Sequence, residues 1–270
     1  MHNFIPPHRF FPYLTWEEID NLPNREKIIV VQPVGAVEQH GPHLPLIVDA
    51  AIGMGVLGKA LARLPAEIPA YALPCLYYGK SNEHCHFPGT ISLSASTLIR
   101  ELMELGSSLY RSGFRRLVLM NSHGGQPQIM EIVARDLHEK YTDFLIFPLF
   151  TWNVPHNAAQ LLSEQELTQG IHAGDAETSL MLSLLPNQVK MNRAVCAYPP
   201  SLPADRLLSL EGKIPFAWLT HELSQSGVIG DATTATQEKG DQLLDSLANG
   251  WKQVLEDIYY FDQPSINRKT

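Results

Sequence analysis

Several short stretches of this chain concentrate side chains that can hold a metal ion or move a proton. One runs Glu38-Gln39-His40-Gly41-Pro42-His43 and is followed by Asp49. Others are Ser81-Asn82-Glu83-His84-Cys85-His86, Asn121-Ser122-His123-Gly124-Gly125-Gln126 and His172-Ala173-Gly174-Asp175-Ala176-Glu177. Glu, His and Asp are the donors expected around Zn²⁺, Mn²⁺ or Fe²⁺. Glu38 and His40 stand two positions apart, so an extended backbone would point both to one side. A lone His-Gly-Gly turn is more often a matter of backbone geometry, but a set of such clusters is harder to explain as solvated loops. A buried polar network without metal would be costly to satisfy with so many charges.

The elements that must position these residues are legible from hydropathy. Ile28 to Val34 and Arg116 to Asn121 are continuous apolar runs of the kind buried on both faces of a sheet, and each leads directly into a His-containing turn. Further strands are expected at about 70–76 and 144–150. Helices are expected from Asp49 to about Leu64, from Ser94 through Tyr110 with Gly113 closing it, from Pro127 to about Lys140, and from Gln237 to Tyr259. Thr15-Trp16-Glu17-Glu18 reads as a capping box, and Gly53, Gly55 and Gly58 suggest close packing of the helix that holds them. Strands alternating with helices of this length argue for a parallel sheet covered on both faces, with ligands at the carboxyl ends of the strands. The Pro-rich stretch from 186 to 215 is less regular, and no repeat or linker divides residues 1–270, so one domain is expected.

Bulk properties narrow the function. The formal charge of −8 and the absence of a basic run argue against nucleic acid as a partner. Three cysteines without CxxC spacing fit a reducing compartment. No apolar run approaches the ~18 residues of a membrane span, and the N-terminus does not read as a signal peptide. A soluble cytoplasmic protein is expected.

The segments PVGAVEQHGPHLPLIVDA, SNEHCHFPGTISL, NSHGGQ, HAGDAETSLML and GVIGDATTA, in this order, resemble the creatininase (creatinine amidohydrolase) family over nearly the whole chain. The resemblance implies a three-layer α/β/α sandwich with a mainly parallel central sheet, two divalent metal ions, and a homo-oligomer, typically a hexamer. It implies Glu38 and His40 as ligands of different metals, Asp49 as the bridge between them, and His123 as a further ligand. Creatinine-hydrolysing members supply another Glu two residues after that histidine; here the position is Gly125, and Glu177 is the replacement expected. His172 matches the family's proton donor, so His172 and Glu177 are the catalytic candidates. Ser81, His84 and Gly124 are expected beside the substrate, while His43 is expected in a supporting role.

The activity implied is metal-assisted hydrolysis of a small-molecule amide, a cyclic amide or a formamide, by an activated water. Creatininases proper enclose their flat substrate with aromatic residues at the positions of Gly124 and Thr168, neither aromatic here. The pattern is closer to relatives with HGG turns, among them formamide hydrolases and a peptidase that matures a redox peptide. Creatinine hydrolysis, peptidase activity and a non-catalytic metal-binding scaffold are the alternatives.

Overall fold

A computed structural model describes residues 2–200, 207–212 and 214–261. In chain order its principal elements are α1 (Trp16–Asp20), β1 (Ile29–Val34), α2 (Val48–Arg63), β2 (Ala70–Ala72), α3 (Ala95–Arg111), β3 (Arg116–Asn121), α4 (Pro127–Lys140) and β4 (Leu145–Phe150). There follow α5 (Ala158–Leu161), α6 (Glu164–Gln169), α7 (Asp175–Leu184), β5 (Cys196–Ala197), α8 (Thr220–Leu223), β6 (Gly230–Asp231) and α9 (Gln237–Tyr260).

The central sheet has the order β2-β1-β3-β4 with every neighbouring pair parallel. Its inner strands β1 and β3 are buried throughout, as continuous apolar runs require. Alternate side chains feed opposite layers. Ile29, Val31, Val118 and Met120 join the core beneath α2, α7 and α9, whereas Val30, Val34, Leu117 and Leu119 pack toward α3 and α4. The fold is α/β with a mainly parallel sheet covered by helices on both sides. A small antiparallel pair, β5 with β6, lies apart from it.

Helix limits follow local chemistry. Thr15 and Glu18 form the capping box ahead of α1, Ser94 caps α3 and Thr236 caps α9 through their hydroxyls, and Pro127 opens α4. The glycines of α2 do mark close packing: a Cβ at Gly55 would lie 2.5 Å from Leu184 Cδ2, and one at Gly58 would lie 2.0 Å from the Phe4 carbonyl oxygen. The strand expected over 70–76 is shorter, because Pro74 has no N–H to give to a ladder. Pairing resumes as one bridge between Leu76 and Val34. The Pro-rich stretch carries short 3₁₀ turns and β5, and residues 201–206 and 213 within it lie outside the described residues. Among the described residues no helix is long and apolar enough to cross a membrane.

The chain leaves β1 toward β2 on one side and leaves β3 toward β4 on the other. The loops after β1 and β3 therefore part company at the carboxyl edge of the sheet, which opens a crevice at a topological switch point. Residues 35–47 and 122–126, from the two strongest motifs, are those loops, and Asp49 follows the first of them at the start of α2.

The α7–α9 contact behind this crevice is close. A Cβ at Gly240 would lie 1.9 Å from the Ser179 carbonyl oxygen, and both groups are backbone-fixed. Gly240→Ala is expected to destabilise the chain by about 1–3 kcal/mol through overpacking, read from urea unfolding. Gly124→Ala, where a Cβ meets nothing within 4 Å, is expected to stay within about 0.5 kcal/mol of wild type.

Candidate metal centre

Glu38 and His40 leave the β1 edge in a buried loop whose course is set by hydrogen bonds to neighbouring loops. Gln126, fully buried at the start of α4, donates from Nε2 to Gly35 O (3.2 Å) and Asn121 Oδ1 (3.0 Å) and accepts from Lys80 N at 2.9 Å. One amide thus ties together the loops after β1, β2 and β3. Asn121 fixes the next turn by accepting from His123 N (3.1 Å) and donating to His123 O (2.8 Å). Asp49 sits in the first turn of α2 and Glu177 in the first turn of α7, positions where helix N-termini favour carboxylates.

The side chains converge. His40 Nε2 lies 3.8 Å from each of Glu38 Oε1, Asp49 Oδ1 and Glu177 Oε2. His123 Nδ1 lies 3.1 Å from Glu38 Oε2 and 3.8 Å from Asp49 Oδ2. His172 Nδ1 lies 3.8 Å from Glu38 Oε1, and His84 Nε2 lies 3.5 Å from the same oxygen. Donor atoms of His40, Asp49 and Glu177 fall within 4.8 Å of one another, as do those of Glu38, Glu83 and His123 and those of Glu38, His40 and His172. His40 Nε2 and Asp49 Oδ2 are buried without any hydrogen-bond partner among the described residues. Unpaired buried donors of this kind at these separations fit a divalent cation.

Electrostatics point the same way. Burial would raise Glu38, but the charge and hydrogen bond of His123, with His84 and His40, hold it well below the usual carboxylate range. Burial and the adjacent Glu38 push Asp49 well above that range. Burial would depress His40, yet Glu177, Asp49 and Glu38 together raise it to about 9. His123 is likewise raised, against the effect of its burial, chiefly by Glu38. Burial and the charge on His40 bring His172 to about 4. Without a cation, the acids hold protons on His40 and His123 instead.

The other expected site residues are placed as follows. His172 Nε2 donates to Gln39 O at 2.7 Å, which assigns the ring the tautomer with a bare Nδ1. Its neighbour Ala173 adopts φ +54°, a left-handed conformation costing an alanine about 1–2 kcal/mol. Ala173 N donates to Glu177 Oε2 at 2.6 Å, so that turn joins His172 to Glu177. His84 is buried, with its ring centroid 4.1 Å from that of His172 and Nδ1 near Gln39 Nε2 and Thr220 Oγ1. Ser81 is fully buried and donates to Glu38 Oε2 at 2.5 Å. Gly124 is exposed beside the centre. His43 lies behind it, with Nε2 2.8 Å from Thr178 Oγ1.

Sequence reasoning passed over two carboxylates. Glu83 stands 3.1 Å from His123 Nε2, and the signal for it was its place in the SNEHCH segment. Glu166, buried on α6, accepts from Asp175 N at 2.8 Å, Asp231 N at 2.9 Å and Tyr198 Oη at 2.9 Å. It joins the start of α7 to β6, and no local motif announces it.

Residues 12–255 match the family model described as Creatininase: Creatinine amidohydrolase. Creatinine amidohydrolase from Pseudomonas putida is 32% identical over 265 residues, covering 93% of this chain and 97% of that one. Mycofactocin precursor peptide peptidase from Mycolicibacterium smegmatis is 32% identical over 224 residues, 82% of each. Among solved structures, a mutant creatininase of Zn-Zn type has a TM-score of 0.77 at 30% identity, covering 93% of this chain and 98% of that one. A structure described as Creatininase Mn has a TM-score of 0.76 at 29% identity, covering 94% and 99%.

A cation entering this centre must displace the His40 proton, which in its absence is held up to about pH 9. Apparent Zn²⁺ affinity is therefore expected to rise with pH and to level off above about 9, with protons released on binding. Competition against a chromophoric chelator across this range checks it; an affinity that does not vary with pH would be the contrary result.

Proposed function

The chain belongs to the creatininase family, and on that premise we propose that it hydrolyses a non-peptide C–N bond, in a cyclic amide or formamide, of a small molecule. The observation that carries this reading is the meeting of donor sets at Asp49. Glu38 and His123 lie on one side of it and His40 and Glu177 on the other. Two divalent cations would be held by these residues, with Asp49 shared. Such cations lower the pKa of water toward neutrality and polarise a carbonyl.

The chain's own groups supply proton movement and orientation. His172 is neutral, with Nε2–H committed to Gln39 O and Nδ1 turned toward Glu38. In that state it accepts a proton at Nδ1 from the attacking water and delivers it to the departing nitrogen, which leaves poorly otherwise. Glu177 acts with it, because the Ala173 N–H that Glu177 holds fixes the turn carrying the ring. Ser81 orients Glu38 through its hydroxyl. His84 and Gly124 border the approach to the centre and would contact substrate. A homo-oligomer of this chain is part of the same proposal.

Cleavage of a precursor peptide is the second reading. It is favoured by the similarity to a peptide peptidase and by the open space at Gly124, which leaves room for a longer substrate.

His172→Ala is expected to retain metal while kcat falls about 10²–10⁴-fold, whereas Asp49→Ala loses both metal and turnover. Metal content with steady-state rates on creatinine, formamidopyrimidines and short peptides reads this. Turnover confined to peptides would support the second reading. A metal-loaded chain inert toward the whole panel would be a scaffold, and the proposal would fall.

A further inference from the structure

Gln39 stands between Glu38 and His40, and its buried amide has one orientation. Oε1 accepts from Gly41 N at 2.8 Å, and Nε2 donates to Gly227 O at 3.1 Å. A flipped amide would set N–H against N–H and oxygen against oxygen. Gly227 makes the room. A Cβ there would lie 2.0 Å from Gln39 Oε1, and its φ of +83° suits a glycine.

Once the amide is settled, so is the ring of His84. His84 Nδ1 lies 2.8 Å from Gln39 Nε2 and takes its second hydrogen, so the ring proton of His84 is on Nε2. His172 Nε2, 3.1 Å from the same amide nitrogen, cannot take that hydrogen, because its own proton goes to Gln39 O. Thr220 Oγ1, 2.9 Å from His84 Nδ1, is a hydroxyl that can donate to it as well. Both rings therefore carry the proton on Nε2 but present opposite chemistry to the centre. His172 turns its bare Nδ1 toward Glu38 Oε1 at 3.8 Å, and His84 turns its Nε2–H toward the same oxygen at 3.5 Å. The second contact is longer than an ordinary N–H···O bond, and His84 Nε2 has no hydrogen-bond partner among the described residues. A donor on a buried ring, oriented by a buried amide and left unused, is available to a group that arrives from outside.

We propose that His84 is a catalytic residue of the hydrolysis described above, on which this inference rests. Its Nε2–H donates to the substrate's carbonyl oxygen as that oxygen becomes an anion, and Gln39 is the positioning residue that fixes the tautomer. When the water oxygen bonds to the carbonyl carbon, the C=O π pair moves onto oxygen, where the His84 donor meets it without giving up its proton. When the pair returns, the C–N bond breaks and the departing nitrogen takes the proton held at His172 Nδ1. Donor and base stand side by side, with ring centroids 4.1 Å apart.

The test pairs two substitutions with one spectrum, on the zinc-loaded full chain. His84→Phe keeps a ring beside His172 but has no N–H. Its kcat on the panel of creatinine, formamidopyrimidines and short peptides is expected to fall about 10²–10³-fold with KM little changed, the loss typical of one oxyanion donor. His84→Gln brings an amide N–H to the same region and is expected to retain most of the wild-type rate. Zinc content and circular dichroism stay at wild-type values in both. In the nitrogen-15 spectrum of histidine-labelled chain, the His84 signals, identified by their loss in His84→Gln, are expected to show Nε2 protonated and Nδ1 bare. Gln39→Met is expected to give a mixture of the two tautomers. Wild-type kcat in His84→Phe, or a His84→Gln no faster than His84→Phe, would overturn the proposal. So would a proton on Nδ1 in the wild type, or a tautomer unmoved by Gln39→Met. Loss of zinc from His84→Phe would overturn it too, because the ring would then act by holding Glu38. A wild-type chain inert toward the whole panel would instead remove the hydrolase reading itself.

Discussion

Glu38, Asp49 and Glu177 gather around His40 at 3.8 Å in a region nearly closed to water, and this crowding of like charge sets the terms for the surrounding structure. Two carboxylates about 4 Å apart repel by about 4 kcal/mol at an effective dielectric of about 20. Among the described residues, every ion pair these three acids make is to a histidine. Histidines relieve the repulsion by holding protons, which is why His40 rises, while burial and the charge on His40 bring His172 down. The arrangement is stable in either of two ways, with protons or with cations. A folded scaffold must supply the positions in both cases.

That scaffold is built from parts with little charge of their own. The switch point between β1 and β3 brings two loops to one edge without either having to cross the sheet. Gln126 then fixes the separation of three loops with one buried amide, and Asn121 shapes the turn that aims His123. On the far side, Glu166 takes the backbone donors of Asp175 and Asp231, so α7 starts where Glu177 can reach His40. The strained Ala173 is held by pairing of His172 with Ile229 and by the Glu177 carboxylate. Strain at this turn is affordable because the groups around it over-determine its course.

Much of this was legible in the sequence because it is local. The runs 116–121 and 127–140 coincide with β3 and α4, since each has a uniform hydropathy period and a sharp end signal. Glu38, His40, Asp49, His123 and Glu177 were legible as types in motifs, and the structure brings them together. β2 was overrun because Pro74 interrupts pairing in a segment that remains apolar to Leu76. Glu83 was missed for a different reason. It stands in the SNEHCH segment, but its contact with His123, forty positions on in the chain, is made only through the fold. Glu166 was missed because a carboxylate that serves backbone donors from two distant elements leaves no spacing pattern.

The same physics separates what this centre can do from what it selects. Relatives with equal identity to this chain, 32% in each case, are described as acting on creatinine and on a precursor peptide. Likeness of this degree therefore does not name a substrate; the rim of the site must choose it. Here the rim lacks the two aromatic residues expected of a flat-ring enclosure. Gly124 is open, and Thr168 lies exposed on α6 with its hydroxyl bonded back to Glu164 O at 2.8 Å. The rings of His84 and His172 face the centre instead, and both are hydrogen-bonded to the Gln39 residue. An apolar sandwich rewards planarity, whereas an open rim with imidazole edges rewards a substrate that brings its own donors and acceptors. Cyclic amides, formamides and peptides all bring such groups, so what positions 124 and 168 withhold is ring stacking against a flat substrate, and orientation at this rim falls to hydrogen bonding.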